Sequence, residues 1–282
     1  MAGISDIRPS PIAGMWYTAD PNRLAKEMDE YIAAAHLPQL EGEVVGVIAP
    51  HAGHRYSGAT AGYAFRTVKG AAFDVVAVIA PLHGYHPAGL LTSAHRFYST
   101  PLGNIPVASD LVDNLARLLL DRTGVELTPV ANDGEHSLEI ELPFLQRALT
   151  GSFDLLPIMV RTQAPAVLEA LGKALAEVLK PRKALLVAST DLSHFYPEMV
   201  ARRLDAGMLE AIEIFEPDMV LEAESTGKGY ACGAPAVAAA MWAGRELGAK
   251  RVQVLHHSTS GDETGDRSQV VGYGAAVMLK DA

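Results

Sequence analysis

Cysteine is nearly absent from this chain: Cys232 is the only one in 282 residues. A single thiol excludes an intramolecular disulfide and fits a reducing compartment, while leaving metal ligation or nucleophilic chemistry open to it. Clusters of Lys and Arg are missing too, and the formal net charge is −10. Such a surface cannot track a phosphate backbone, so no nucleic-acid partner is expected, and its acidity argues equally against an anionic membrane. Residues 1–20 hold Arg8, Pro9, Pro11 and Asp20 in place of a continuous apolar stretch. They read as neither a signal peptide nor a membrane span, which makes a cytoplasmic protein the expectation. No Pro/Ser/Gly-rich linker, charge block or low-complexity segment divides the sequence, so residues 1–282 are read as one domain.

Hydrophobic residues make up 49% of the chain and charged residues 20%, enough apolar material for a large core. Residues 44–49 and 75–80 are almost wholly apolar, the pattern of strands buried on both faces. Between them Ser57 could cap a helix running through Phe65. Strand, helix, strand with two-sided strands is a parallel βαβ unit. Further strands are expected at 155–160, 185–188, 252–255 and 270–278. Helices are expected at 22–37, 110–120, 135–149, 164–179, 199–215 and 234–247, with Pro143 kinking or breaking the third of these. The expected fold is a single three-layer α/β domain, with a mixed or mostly parallel central sheet flanked by helices.

The chemistry gathers at strand ends, where open α/β sheets place their sites. Val47-Ile48-Ala49-Pro50 leads directly into His51, and Val78-Ile79-Ala80-Pro81 leads through Leu82 into His83. The offset means that the two loops present their imidazoles differently, and the likeness does not extend into a repeat. Neutral imidazole is the commonest protein ligand for a transition metal, and Gly53 and Gly84 leave room beside the rings. Each histidine could equally bond a carbonyl and pack. His54 is expected at the surface or supporting a ligand, and His86 reads as a loop residue.

A third strand end reads Ser189-Thr190-Asp191-Leu192-Ser193-His194. Asp191 and His194 could supply a ligand, a proton shuttle or an orienting pair; alternatively they cap a helix with His194 in its first turn. Cys232 lies just before the helix at 234–247, where the dipole favours thiolate; its other reading is a small buried hydrophobe. In Glu135-His136-Ser137-Leu138-Glu139, His136 and Glu139 would share one helix face, a spacing that could bind metal or merely open a helix. His256 and His257 end the strand at 252–255 and point to opposite faces, so at most one can reach a common site.

Pro50-His51-Ala52-Gly53, Tyr56-Ser57-Gly58, Pro81-Leu82-His83, Glu135-His136-Ser137-Leu138-Glu139, Ser189-Thr190-Asp191-Leu192-Ser193-His194 and Ala231-Cys232-Gly233 together resemble the Memo family in order and approximate spacing. Ala13-Gly14-Met15-Trp16-Tyr17 and Tyr98-Ser99-Thr100-Pro101-Leu102-Gly103 match it as well, so the resemblance spans nearly the whole chain. Bacterial and archaeal members are known as the AmmeMemoRadiSam system protein B, and the resemblance implies an AMMECR1-like protein and a radical SAM protein as partners. The Memo fold is similar to that of the class III extradiol ring-cleaving dioxygenases, which are non-haem iron enzymes.

Carried over position by position, the resemblance implies metal ligation by His51, His83 and Cys232. Asp191 and His194 would line the same pocket, with His194 where the dioxygenases keep an acid/base histidine. This chain departs from the common pattern at His54, where many members carry an aromatic residue, and at Leu82, where many carry serine. Ring-cleaving dioxygenases use two histidines and a carboxylate; a thiolate is softer, favours iron, copper or zinc, and is itself oxidisable. The expectation is therefore metal-dependent redox chemistry on a small-molecule substrate, with iron ahead of copper or zinc. Its rivals are a dioxygenase or metal hydrolase completed by a carboxylate such as Glu139 or Asp191, and a non-catalytic binding protein with an idle or structural site.

Overall fold

The computed structural model describes residues 5–281. The chain begins with β1 (Ile7–Arg8), α1 (Pro21–Ala34), β2 (Glu43–Ala49), α2 (His54–Arg66), β3 (Val75–Pro81), β4 (Leu90–Ser93), β5 (Phe97–Thr100) and β6 (Gly103–Pro106). It continues through α3 (Ser109–Thr123), β7 (Leu127–Val130), a 3-10 turn at Glu139–Glu141, α4 (Leu142–Ala148), β8 (Asp154–Val160), α5 (Pro165–Leu179) and β9 (Ala184–Ser189). It closes with β10 (His194–Tyr196), α6 (Glu198–Ile214), α7 (Pro217–Ser225), α8 (Ala234–Glu246), β11 (Arg251–Thr259), α9 (Ser260–Thr264) and β12 (Val270–Lys280).

Nine strands form the central sheet in the order β10, β12, β2, β9, β3, β8, β4, β7, with β11 also paired to β12. The middle four, β2, β9, β3 and β8, are mutually parallel, whereas β12 runs antiparallel to β2 and β4 antiparallel to β8. A separate three-stranded sheet joins β1, β5 and β6. The mixed sheet and its flanking helices are the three-layer α/β fold that the apolar runs imply.

Alternation along each middle strand builds both faces. Val75, Ala77 and Ile79 of β3 pack in the core under α3, α5 and α8, while Val76, Val78 and Ala80 pack in the core under α1, α2 and α4. Each such side chain, fully removed from water, contributes about 1.5–3 kcal/mol if it is a valine or isoleucine. Five helices, α1, α4, α5, α7 and α8, open with proline in their first two positions, where its missing N–H removes no helical hydrogen bond. No helix among the described residues is long and apolar enough to cross a membrane.

Three local expectations are corrected. Ser57 lies inside α2, whose N-cap is Gly53, and its hydroxyl donates back to the Ala52 carbonyl at 2.9 Å. Residues 135–138 are not helical: Glu135 folds back to accept from the backbone N–H of His136 and Ser137, which turns the chain, and α4 starts only at Leu142. Pro143 therefore starts a helix instead of breaking one. His256 and His257 lie within β11 and do not end it. They do face opposite ways, His256 stacking on Tyr63 and His257 bonding Asp205 at 2.8 Å, and neither belongs to the histidine cluster described below.

His54 is buried, at 3% exposure, and not at the surface. Its Nε2–H donates to the Ile140 carbonyl at 3.0 Å and its ring packs against Phe144 and Tyr17. Burial pulls its pKa down from 6.5 to about 4, partly offset by that carbonyl. A histidine depressed in the folded state contributes stability above pH 6.5 that is lost as pH falls toward 4, here about 3 kcal/mol. In urea titrations at pH 7 and pH 4.5, His54→Gln should lose markedly less stability on acidification than the wild type. Equal losses would remove His54 as the cause.

Candidate metal centre

The parallel strands deliver their carboxyl ends to one edge of the sheet: Ala49 lies beside Ser189, and Pro81 beside Val160. Beyond those ends come His51, Asp191, His83 and Arg161, in the crevice where α/β sheets bind ligands. The start of α8 is brought against the same edge by Cys232 N–H donating to the Asp191 carbonyl at 3.2 Å and Gly233 N–H donating to Thr190 Oγ1 at 2.9 Å. Position 233 must be glycine for this approach, because a Cβ there would collide with the Ser189 carbonyl oxygen.

Three imidazoles converge. One ring nitrogen each of His51, His83 and His136 lies within 4.8 Å of the others. The His83 and His136 rings stack at 4.7 Å, and His51 stands edge-on to both at 5.2 and 5.4 Å. Trp16 covers the outer face of the group by stacking on His136 at 4.0 Å. Cys232 meets the triad at His51, with Sγ 3.1 Å from Nε2.

Hydrogen bonds behind the rings decide which nitrogens are free. Ser189 Oγ lies 2.7 Å from the Ser137 carbonyl, which can only accept, so the hydroxyl proton points there. Its lone pairs then face His51 Nδ1 and Glu141 Oε1, each at 2.8 Å. His51 Nδ1–H donates to Ser189, and Nε2 keeps its lone pair for the triad. Burial raises the Glu141 carboxyl well above its usual range, the protonated state in which it can donate to Ser189. Glu135 plays the corresponding part for His83, with Oε1 3.0 Å from its Nδ1, and its charge lies 3.1 Å from His136 Nδ1. It thus supplies His83 with the orienting partner that Leu82 cannot. Metal-binding histidines carry this signature, the distal nitrogen fixed by a carboxylate or hydroxyl.

The electrostatics keep two of the rings neutral at pH 7. Burial, then the neighbouring imidazoles, drive His51 well below 6.5, and burial brings His136 to about 4. His83 goes the other way: burial lowers it, but the hydrogen bond and charge of Glu135 outweigh burial and raise it. Asp191 accepts from the backbone N–H of His51 at 2.7 Å and of Ala52 at 3.2 Å, which ties the first loop to the third. Its burial nevertheless raises it to about 7.

His194 occupies the short strand β10 and no helical turn. Its Nδ1–H donates to the Leu192 carbonyl at 2.8 Å, leaving Nε2 as a base, and its ring meets Tyr230 at 5.8 Å. The helix-dipole expectation for Cys232 is reversed. Burial and the charge of Asp191 push the thiol up, more strongly than the N-terminus of α8 can lower it. Glu139, a candidate ligand in the carboxylate reading, is occupied elsewhere: Oε2 pairs with Arg8, and Oε1 accepts from Tyr17 and Ser10. His136 and Glu139 share no helix face. Sequence reasoning missed the weight of His136 and the roles of Glu135, Glu141 and Arg8. The adjacent Glu135-His136 pair was the only signal that pointed to them.

A family model described as Memo-like protein matches residues 8–277. The chain belongs to the Memo family. A MEMO1 family protein of Nitrosopumilus maritimus is 32% identical over 277 residues, covering 97% of this chain and 100% of that protein. One from Thermotoga neapolitana is 33% identical over 285 residues, covering 96% and 99%. A third, from Methanothermobacter thermautotrophicus, is 32% identical over 276 residues, covering 95% and 98%. In this Memo-family chain the strand-end edge described above carries every one of His51, His83, Asp191 and Cys232.

Proposed function

We propose that this Memo-family chain holds a redox-active metal, iron ahead of copper, on His51 and His83 with Cys232 and His136 as the neighbouring donors, and performs metal-dependent redox chemistry on a small molecule. The observation that carries this reading is the donor set, three converging imidazoles, two of them braced from behind, and a thiol 3.1 Å from His51 Nε2. Imidazole with a soft sulfur suits iron, copper or zinc. The bound metal would supply electron transfer and Lewis acidity. Asp191 fixes the backbone that carries His51, and His194, with Nδ1–H on Leu192, offers Nε2 to take up or release a proton beside the triad. Family membership extends the reading to the AmmeMemoRadiSam system as its setting. A second reading is favoured by the place of His136 in the triad: three histidines without the thiolate are a hydrolytic zinc set.

The test is metal content by mass spectrometry after anaerobic purification, for the wild type, His51→Ala, His136→Ala and Cys232→Ser. Near-stoichiometric iron or copper that disappears in His51→Ala and Cys232→Ser is the expected result. Metal kept by Cys232→Ser but lost from His136→Ala would select the three-histidine hydrolytic site. A wild type that holds no metal, even after reconstitution, sinks both.

A further inference from the structure

We infer that the cleft between the carboxyl end of β8 and the start of α8 is a subsite for the carboxylate of a small organic acid, received by Arg161; this deepens the metal-site reading and rests on it. Of the four parallel strand ends, three deliver His51, His83 and Asp191, and the fourth delivers a cation. Arg161 is half-buried, and its Nη1 donates to the carbonyl of Gly84, the residue after His83. That bond fixes the guanidinium relative to a triad member, and among the described residues Nη2 and Nε have no hydrogen-bond partner. The guanidinium lies 5.5 Å over the Tyr85 ring, and among the described residues it forms no ion pair.

The cleft beside it has a volume of 170 Å³ and is lined by His83, Cys232, Arg161, Gln163 and Tyr230. Glu224 also lines it but is itself exposed. A cavity of about 150 Å³ accommodates benzene, so this one admits a molecule of about that size and not a nucleotide or a folded peptide. A planar guanidinium with its Nε/Nη2 edge unused matches a carboxylate in a two-point hydrogen bond. The acid's remaining atoms would then lie toward His83 and Cys232. The cleft selects its substrate by charge at one end and presents it to the metal ligands at the other.

Calorimetric titration of the full chain tests this, with pyruvate as the probe carboxylate, pyruvamide as its neutral counterpart and inorganic phosphate as the alternative oxyanion. Each is run on protein loaded with Zn(II), to keep the titration redox-silent, and on metal-free protein. Pyruvate should bind saturably and pyruvamide should not. Arg161→Gln should weaken pyruvate about ten- to a hundredfold, with part of the loss recovered in Arg161→Lys. Metal content should be the same in all three proteins. Equal pyruvate affinity in the wild type and Arg161→Gln overturns the subsite, and tighter binding of phosphate than of pyruvate overturns the carboxylate assignment. A chain that takes up no metal sinks the metal-site reading alone, because the metal-free titration still reads Arg161.

Discussion

Arg8→Met will destabilise the protein by about 3–5 kcal/mol, the range for removing one partner from a buried ion pair. Arg8 is 1% exposed and lies in a two-residue strand near the start of the described chain. Its guanidinium binds Asp133 through Nε at 2.9 Å and Nη2 at 2.7 Å, Glu139 through Nη1 at 2.6 Å, and the Glu135 carbonyl at 2.8 Å. Tyr98 closes the cage from one side at 4.8 Å. Methionine matches much of the volume but leaves the Glu139 and Asp133 carboxylates facing each other without a cation. It also frees the loop that carries Glu135 and His136, so metal retention should fall together with stability. Urea midpoints and metal content read both effects. Adding Glu139→Gln to Arg8→Met should recover part of the loss, since it removes one orphaned charge. A cost under about 1 kcal/mol would show that water reaches the cage.

Glu135→Ala will have the largest effect on metal affinity of any substitution outside the ligands, a loss of about 10–100-fold. One carboxylate receives the backbone N–H of His83, His136 and Ser137, orients the His83 ring and lies 3.1 Å from His136 Nδ1. Alanine strands the buried donors, at about 1–3 kcal/mol for each that water cannot reach, so a total near 3–5 kcal/mol is expected. Glu135→Gln should fall between, because its amide NH2 opposes one of the N–H groups. The pH dependence has a definite sign. Burial would raise this carboxyl, but the hydrogen bond and charge of His83, the Ser137 N–H and His136 outweigh it and hold it well below its usual 4.5. Its contribution is therefore complete above pH 4.5 and is lost as pH falls below that value, so the stability gap between wild type and Glu135→Ala should narrow in acid. A gap that is constant between pH 7 and pH 3.5 would refute the ionised-carboxylate account.

The middle of the sheet was legible because β2, β3, β8 and β9 bury both faces, and an uninterrupted apolar run as short as theirs fits a central strand far better than a helix or a loop. By the same logic β4, β5, β6 and β7 were not: each is four residues long and mixes polar with apolar positions. The tail of β11, His256 to Thr259, is polar and escapes any reading by hydrophobicity, yet its side chains find partners in Thr60, Tyr63 and Asp205. The site divides similarly. His51, His83 and Asp191 follow directly from strands and could be placed, whereas His136 sits in a loop shaped by its own neighbour's carboxylate. Local periodicity cannot report a turn of that kind. The thiol's upward shift was also out of reach, since it depends on burial against Asp191, a residue 41 positions away.

β12 bears on how such a protein could be made. The strand that leads to His51 has β9 on one side and β12 on the other, and β12 ends at Lys280. The contacts of His51 reach 140 residues ahead to Asp191 and 181 ahead to Cys232. During synthesis at about 5–20 residues per second, the amino-terminal third would wait many seconds before the partners of its histidines emerged. A nascent chain that has not yet delivered β12 cannot present the triad and the thiol on the complete central sheet. If the site takes up a metal as proposed, its full donor set would meet that metal only after Cys232 and β12 have joined the sheet, so a supplier would have to recognise the folded domain and not its amino-terminal third.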